Sequence, residues 1–329
     1  MVSTAIPHAE REGYNLTTLS YSEPTALAAL ALIAHGRTKE AEPPLQWLID
    51  RQSPDGSVGI SARDSLPAWP TGLAMLAMLA WSAAVDQASS LISRAGSPTY
   101  AASVAKGVRH LLHSRGKPLA RSADMGHDTS LIGWPWVDGT HSWIEPTAWN
   151  VLALKSARHS SRHAPHDETE LESRKTFPHA EREGYNLGDH ARTREAVRLL
   201  IDRLLPQGGC NYGNTTVLGQ ALRPHVQPTG LALLALAGES DAAGRIDAAI
   251  RYLHGELSAG TAAASLAYGV MGCQAHDAAP PQSMDWLEAA YHRVNDSSHT
   301  AVQLALLALA ASGDDCPLVR LPQKASAIS

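Results

Sequence analysis

Four prolines constrain this chain more than any other feature. Glu23-Pro24-Thr25-Ala26, Trp69-Pro70-Thr71-Gly72, Glu145-Pro146-Thr147-Ala148 and Gln227-Pro228-Thr229-Gly230 repeat one phrase, and each opens an Ala/Leu-rich run without a charged side chain. Proline costs about 3 kcal/mol inside a helix but is tolerated in its first turn, where its missing N–H has no partner to lose. The phrases therefore read as helix starts. The uncharged runs at 24–34, 70–84, 146–154 and 228–237, with 259–275 and 300–313, predict helices buried all round.

Between them lie stretches of another kind, at 43–52, 98–114, 191–205, 241–256 and 282–293. In one of these Val197, Leu200, Ile201 and Leu204 form an apolar stripe beside Arg194, Arg198, Asp202 and Arg203. Such helices face water along one side. Inner and outer helices thus alternate, and the expected fold class is all-α: an α/α toroid, a barrel of about six inner helices wrapped by outer ones. A superhelical stack of helix pairs is the competing architecture. A single Phe among 329 residues agrees with a core built from helix-forming aliphatics. The expected division is an N-terminal segment at 1–22, one toroid domain at 23–313 with a polar insertion at 156–193, and a tail at 314–329.

The net charge of −5, from 27 Lys+Arg against 32 Asp+Glu, supplies no basic field for a nucleic acid. Three separated cysteines (Cys210, Cys273, Cys316) make no disulfide framework and point to a reducing compartment, so a cytoplasmic protein is expected. The apolar runs fall short of the roughly 20 residues that span a bilayer, and neither a transmembrane segment nor a signal peptide is expected.

Two phrases carry a resemblance. Gln52-x-x-Asp55-Gly56-x-Val58-Gly59 closes one charged stretch, and Gln207-Gly208-Gly209-Cys210-Asn211-Tyr212-Gly213 closes a later one. Both resemble the repeat of the terpenoid cyclase and protein prenyltransferase superfamily (the prenyltransferase and squalene oxidase repeat). There a Gln-x-x-x-Gly-x-Trp phrase joins outer to inner helix. Val58 and Tyr212 stand where that family has Trp or Phe, and the resemblance covers about 23–311 apart from the insertion. It implies the toroid, and a pocket at one barrel end that binds or converts an isoprenoid or other apolar substrate. An enzyme of this kind would be a terpenoid-cyclase-like isomerase or a prenyltransferase. The catalytic signatures do not carry over. The Asp-x-Asp-Asp acid of the cyclases and the Gly-Cys-Gly-Glu-Gln thioester phrase are absent, and Asp314-Asp315-Cys316 matches a zinc-binding Asp-x-Cys pair with no histidine after it. The alternatives are a non-catalytic toroid binding or scaffold module, with a protein as partner, and a zinc-dependent prenyl transferase using Cys210 with His225 or His127. No cofactor is expected, zinc or magnesium being the metal candidates, and the last alternative requires zinc.

Every outer-to-inner connection lies at one end of such a barrel, and 115–145 and 206–227 are long connections of that kind. Asp124, His127 and Asp128 have the types needed for acid–base work or metal ligation. Trp134, Trp136 and Trp143 offer π faces to a cation or an isoprenoid tail. His141, Glu145, Asn211, Tyr212, Asn214, Arg223, His225 and Gln227 complete the candidate site as positioning groups. The plainer alternative is that the tryptophans bury the rim, that Glu23, Glu145 and Gln227 serve the helix N-termini, and that the acidic loop is fixed by its own hydrogen bonds. The insertion is rich in histidine (His159, His163, His166, His179, His190), and Pro-His-Ala-Glu-Arg-Glu-Gly-Tyr-Asn-Leu occurs twice, at 7–16 and 178–187. Identity over that length reads as a duplicated surface segment or a recognition epitope.

Overall fold

The computed structural model describes residues 21–88, 98–121, 125–162, 190–295 and 301–323. The duplicated segments, Asp124, His163, His166 and His179 lie outside the described residues. Six helices take the uncharged runs: α1 (Ser22–Ala34), α3 (Thr71–Ala88), α5 (Ile144–Arg162), α7 (Val226–Ala235), α9 (Ala263–Gln274) and α11 (Ala301–Ala311). Those rich in charge are α2 (Thr38–Asp50), α4 (Pro98–His113), α6 (Ala191–Arg203), α8 (Arg245–Glu256) and α10 (Ser283–Asn295). A short α12 (Pro317–Gln323) follows α11, and a small hairpin pairs β1 (Thr216–Val217) with β2 (Gln220–Ala221).

The uncharged helices close on themselves. α1 packs on α3, α3 on α5, α5 on α7, α7 on α9, α9 on α11, and α11 returns to α1. That last contact separates a ring from an open superhelical stack, and the fold is an α/α toroid. Outside it, α2 lies against α1 and α3, α4 against α3 and α5, α8 against α7 and α9, and α10 against α9 and α11. Every residue of α7 from Pro228 to Ala235 is buried, as a helix surrounded by neighbours requires.

Small residues set the spacing of the ring. Gly72 on α3 lies against the backbone of Trp149 and the Asn150 amide on α5, and Gly230 on α7 lies against the Tyr268 carbonyl and Gly269 on α9. A Cβ at Gly230 would overlap backbone of the next helix, and one at Gly72 would overlap the Asn150 side-chain oxygen. Among the outer helices, Gln52 at the foot of α2 donates to the Gly56 carbonyl (3.0 Å) and to the Ser103 carbonyl on α4 (2.8 Å). The glutamine of the repeat phrase thus ties one outer helix to the next.

The end of the barrel opposite the prolines is sealed. α12, in the segment set apart in sequence as a tail, packs against α1, α3, α5, α7 and α9, with Cys316, Leu318 and Val319 buried. The charges of Asp314, Asp315 and Arg320 conceal this burial in the sequence. At the same end Lys155 of α5 reaches the C-terminal carbonyls of α7, donating to Ala235 (2.8 Å) and Ala237 (3.2 Å) and pairing with Glu239 (2.6 Å). A cation there answers the carbonyls that a helix end leaves unbonded.

Candidate functional site

The Pro-Thr phrase has a second task besides starting helices. The Thr71 hydroxyl accepts the Val58 N–H, Thr147 accepts that of Trp134 and Thr229 that of Cys210, each at 2.9 Å. Thr71 and Thr229 also donate to the carbonyls of Ala68 (2.7 Å) and His225 (2.6 Å) just upstream. A hydroxyl can accept and donate at once, so each threonine clasps an incoming connection to the first turn of an inner helix. This register corrects the sequence alignment: Cys210, not Tyr212, is the counterpart of Val58, and Trp134 is the third member.

The two long connections are joined at the proline end of the barrel. His127 is buried, its Nδ1 accepting the Thr215 N–H at 3.3 Å and lying 3.0 Å from the Thr215 hydroxyl. The Asp128 N–H donates to Asp202 at 2.9 Å, and its carboxylate accepts from the Ser130 hydroxyl (2.6 Å) and N–H (3.0 Å). Those bonds from Ser130 hold the Asp128 carboxyl below the usual carboxylate range, the wrong direction for a proton donor at neutral pH. Asp128 and His127 therefore have the geometry of groups that fix the loop.

The tryptophans divide. Trp134 is 2% exposed, its indole donating to the Leu111 carbonyl (3.1 Å) and Ser114 (3.0 Å) with the Arg192 guanidinium 3.8 Å over its ring. Arg192 donates in turn to the carbonyls of Ile132 (2.7 Å) and Gly133 (2.6 Å). Every face of Trp134 is occupied by protein. Trp136 and Trp143 are only partly buried. Trp136 meets Trp69 edge-on at 4.8 Å, and Trp143 lies 4.6 Å from the His141 ring.

The axis of the ring carries three titratable groups that burial perturbs. Glu23 and Glu145 occupy the first turns of α1 and α5, and Tyr268 comes from α9. These three helices do not adjoin in the ring, so groups from them interact only across its centre. The rings of Trp149 and Tyr268 lie 6.1 Å apart there, at a steep angle. Burial pushes the Glu145 carboxyl up to about 7; the charge of Glu23 adds to the rise, and the Trp149 indole partly offsets it. Glu23 is raised by burial alone, as expected of whichever of two facing acids ionises first. Tyr268, buried and facing both, is pushed well above its ordinary value. A helix N-terminus favours an anion by about 0.3–1 kcal/mol, rising to about 2 kcal/mol where the group is partly buried, and here burial outweighs it.

At the proline end of α7 an open cavity of about 350 Å³ lies between α7, α8 and α9. Tyr212, His225, Gln227, Tyr252, Glu256 and Ser265 are among its walls. It adjoins the carboxylates through the backbone, because the Ile144 N–H, one residue before Glu145, donates to the Tyr212 carbonyl at 2.9 Å. Ser265 precedes Tyr268 on α9 by a single turn. The Asn211 amide spans the second connection, donating to the Arg223 carbonyl at 2.7 Å while its oxygen accepts the Tyr212 N–H at 2.8 Å. Arg223 itself is exposed and Asn214 half-buried. Of the sequence-derived candidates, Tyr212, His225 and Gln227 meet at the cavity and Glu145 at the axis. Trp149, Tyr268 and Glu23 join them there. Sequence reasoning left Tyr268 out although it is the lone aromatic of an uncharged inner run, which is the signal that marks it.

Cys210 is buried and its thiol is pushed up by burial to about 12, the condition of a core residue and not of a metal thiolate. Among the described residues no group of three or more His, Cys, Asp or Glu is arranged to hold a metal ion, and no helix is long and apolar enough to cross a membrane.

No family model and no curated protein matches the chain. Among solved structures it is similar to ent-copalyl diphosphate synthase from Streptomyces platensis, at 13% identity, covering 95% of this chain and 99% of that one with a TM-score of 0.29.

Proposed function

We propose that this toroid receives an isoprenoid or similarly apolar molecule at the proline end of its barrel, where Glu145 is the group that acts on it. The observation that supports this is the pair of carboxylates facing across the axis beside Trp149 and Tyr268. A carboxyl held protonated near neutral pH beside aromatic rings is both a hydrogen-bond donor and a general acid. Trp143 and the Trp69–Trp136 pair offer apolar surface nearby, and the sealed far end leaves the proline end as the approach. Asp128, fixed by Ser130, passes the acid's part to Glu145.

Binding without turnover is the second reading, and the value of Glu145 favours it. An acid ionising near 7 is matched to proton exchange with oxygen or nitrogen. Protonating an alkene demands a far stronger one. Titrating the protein with farnesol, farnesyl diphosphate, geranylgeranyl diphosphate and squalene, followed by tryptophan fluorescence and thermal shift, tests the proposal. Saturable binding by at least one of them is expected, and failure of all four overturns it. Product analysis of the bound mixtures then separates turnover from binding, with Glu145→Gln abolishing any turnover.

A further inference from the structure

The cavity between α7, α8 and α9 has a chemistry of its own. Tyr212, Tyr252 and the imidazole of His225 line it together with Gln227, Glu256 and Ser265, and no Lys or Arg is among its lining residues. The Tyr212 and His225 rings lean on each other with centroids 5.3 Å apart, and the Tyr252 hydroxyl donates to the Pro224 carbonyl at 3.1 Å. That bond ties the Tyr252 ring on α8 to the connection that carries Tyr212 and His225. Among the described residues the Tyr212 hydroxyl, the Gln227 side-chain amide and the Ser265 hydroxyl make no hydrogen bond with protein. Their polar atoms are available to a ligand.

Glu256 follows Tyr252 by four residues, one turn further along the same face of α8. Its carboxylate forms no ion pair with a Lys or Arg among the described residues. Arg293, bonded to the adjoining loop, is committed to the carbonyls of Ala259 (2.6 Å) and Thr261 (2.9 Å). Burial pushes the Tyr252 phenol up to about 12, with Glu256 adding to the rise, so the phenol stays neutral beside the carboxylate. Glu256 is also the last residue of α8, where the negative end of the helix dipole repels it and no Lys or Arg of the last turn answers it. The first turns of α7 and α9 border the same space with the opposite sign. Each helix end carries about half a charge, so two positive ends and one negative end leave about half a positive charge against the full negative charge of Glu256. The balance is negative, and a cation relieves it.

A metal ion would find a single carboxylate here where it needs several ligands. An ammonium on a carbon stem uses what the walls offer. Tyrosine faces attract its charge, the carboxylate pairs with it, and amide and hydroxyl oxygens accept its N–H groups. At about 350 Å³ the cavity is within the range of small-molecule sites. We infer that it binds a small organic ammonium ion, held between Glu256 and the faces of Tyr212 and Tyr252, with Gln227 and Ser265 accepting its N–H groups. The inference does not rest on the isoprenoid reading, because neither Glu23 nor Glu145 takes part in it.

Butylammonium, butanol and butyrate share one stem and differ in charge. Calorimetric titration of each into the full chain, at about pH 8 and fixed ionic strength, tests the inference. Butylammonium is expected to bind saturably and about tenfold more tightly than either of the others. Glu256→Gln is expected to weaken it about threefold, and Tyr212→Leu about threefold. Both side chains are exposed, so both variants should fold, and thermal melts read whether they do. Butanol or butyrate binding as tightly as butylammonium, no saturable binding of butylammonium, or an affinity unchanged in either folded variant overturns the inference. None of these results touches the isoprenoid reading, which falls when farnesol, both diphosphates and squalene all fail to bind.

Discussion

Replacing Glu145 by glutamine is expected to stabilise the folded chain in mildly alkaline buffer and to change little in mildly acidic buffer. In the fold this carboxyl ionises near 7 instead of 4.5, raised by burial and then by Glu23. An acid whose folded value is raised holds its proton more tightly in the native state, so stability is lost as the pH climbs from the unfolded value through the folded one. The gap between the two values corresponds to about 3 kcal/mol, nearly all of it expressed by about pH 8 and less than about 1 kcal/mol of it at about pH 5. Glutamine keeps the volume and discards the charge, so the variant's advantage should grow by about 2 kcal/mol between those two pH values. That corresponds to roughly 3 °C in melting temperature for a chain of this size. Unfolding followed by circular dichroism across the pH range reads it directly. A difference between variant and parent that is flat from about pH 5 to about pH 8 would refute the claim that Glu145 sits desolvated opposite a second carboxylate.

Other outcomes follow from the clasps and the packing. Thr147→Val leaves the buried Trp134 N–H without an acceptor and is expected to cost about 1–3 kcal/mol in urea unfolding, with ligand binding intact in the folded fraction. Arg192→Met strips the Ile132 and Gly133 carbonyls of their donor and uncovers Trp134, and a loss of about 3 kcal/mol is expected; a neutral result would mean that water replaces the guanidinium. Gly230→Ala forces a methyl into the Tyr268 carbonyl of the facing helix and should prevent a cooperative melt or lower its midpoint sharply. A thiol reagent should modify none of Cys210, Cys273 and Cys316 at neutral pH until denaturant is added, because all three are buried and their thiols are raised to about 11 or 12.

Much of the architecture was legible because the ring depends on where charge is missing. A helix enclosed by neighbours cannot carry Lys or Glu around its surface, so runs such as 228–237 announce their place without any tertiary information. The same logic does not reach Arg192, which the apolar stripe of its helix leaves unassigned. A charge on an outer helix reads as solvent-facing, yet this one is buried because three backbone carbonyls and a tryptophan face answer it. The site was half legible. Position in the repeat pointed to Glu145 and Gln227, whereas the clustering of tryptophans in sequence pointed equally to Trp134, which the fold turns into its own packing. Which side chains meet across the axis depends on helices far apart in the chain, and no spacing within one run encodes that Trp149 faces Tyr268.

The contact of α11 with α1 joins the earliest and the latest inner helices of the described chain. Successive helix pairs can stack as they leave the ribosome, but the barrel stays an open arc, with apolar flanks on α1 and on the growing end, until α11 arrives. Only then can α12 enter. Assembly should accordingly show one slow terminal step governed by the entropy of bringing distant segments together, and a chain interrupted before α11 would present two bare helix faces to any neighbour, its own copies included.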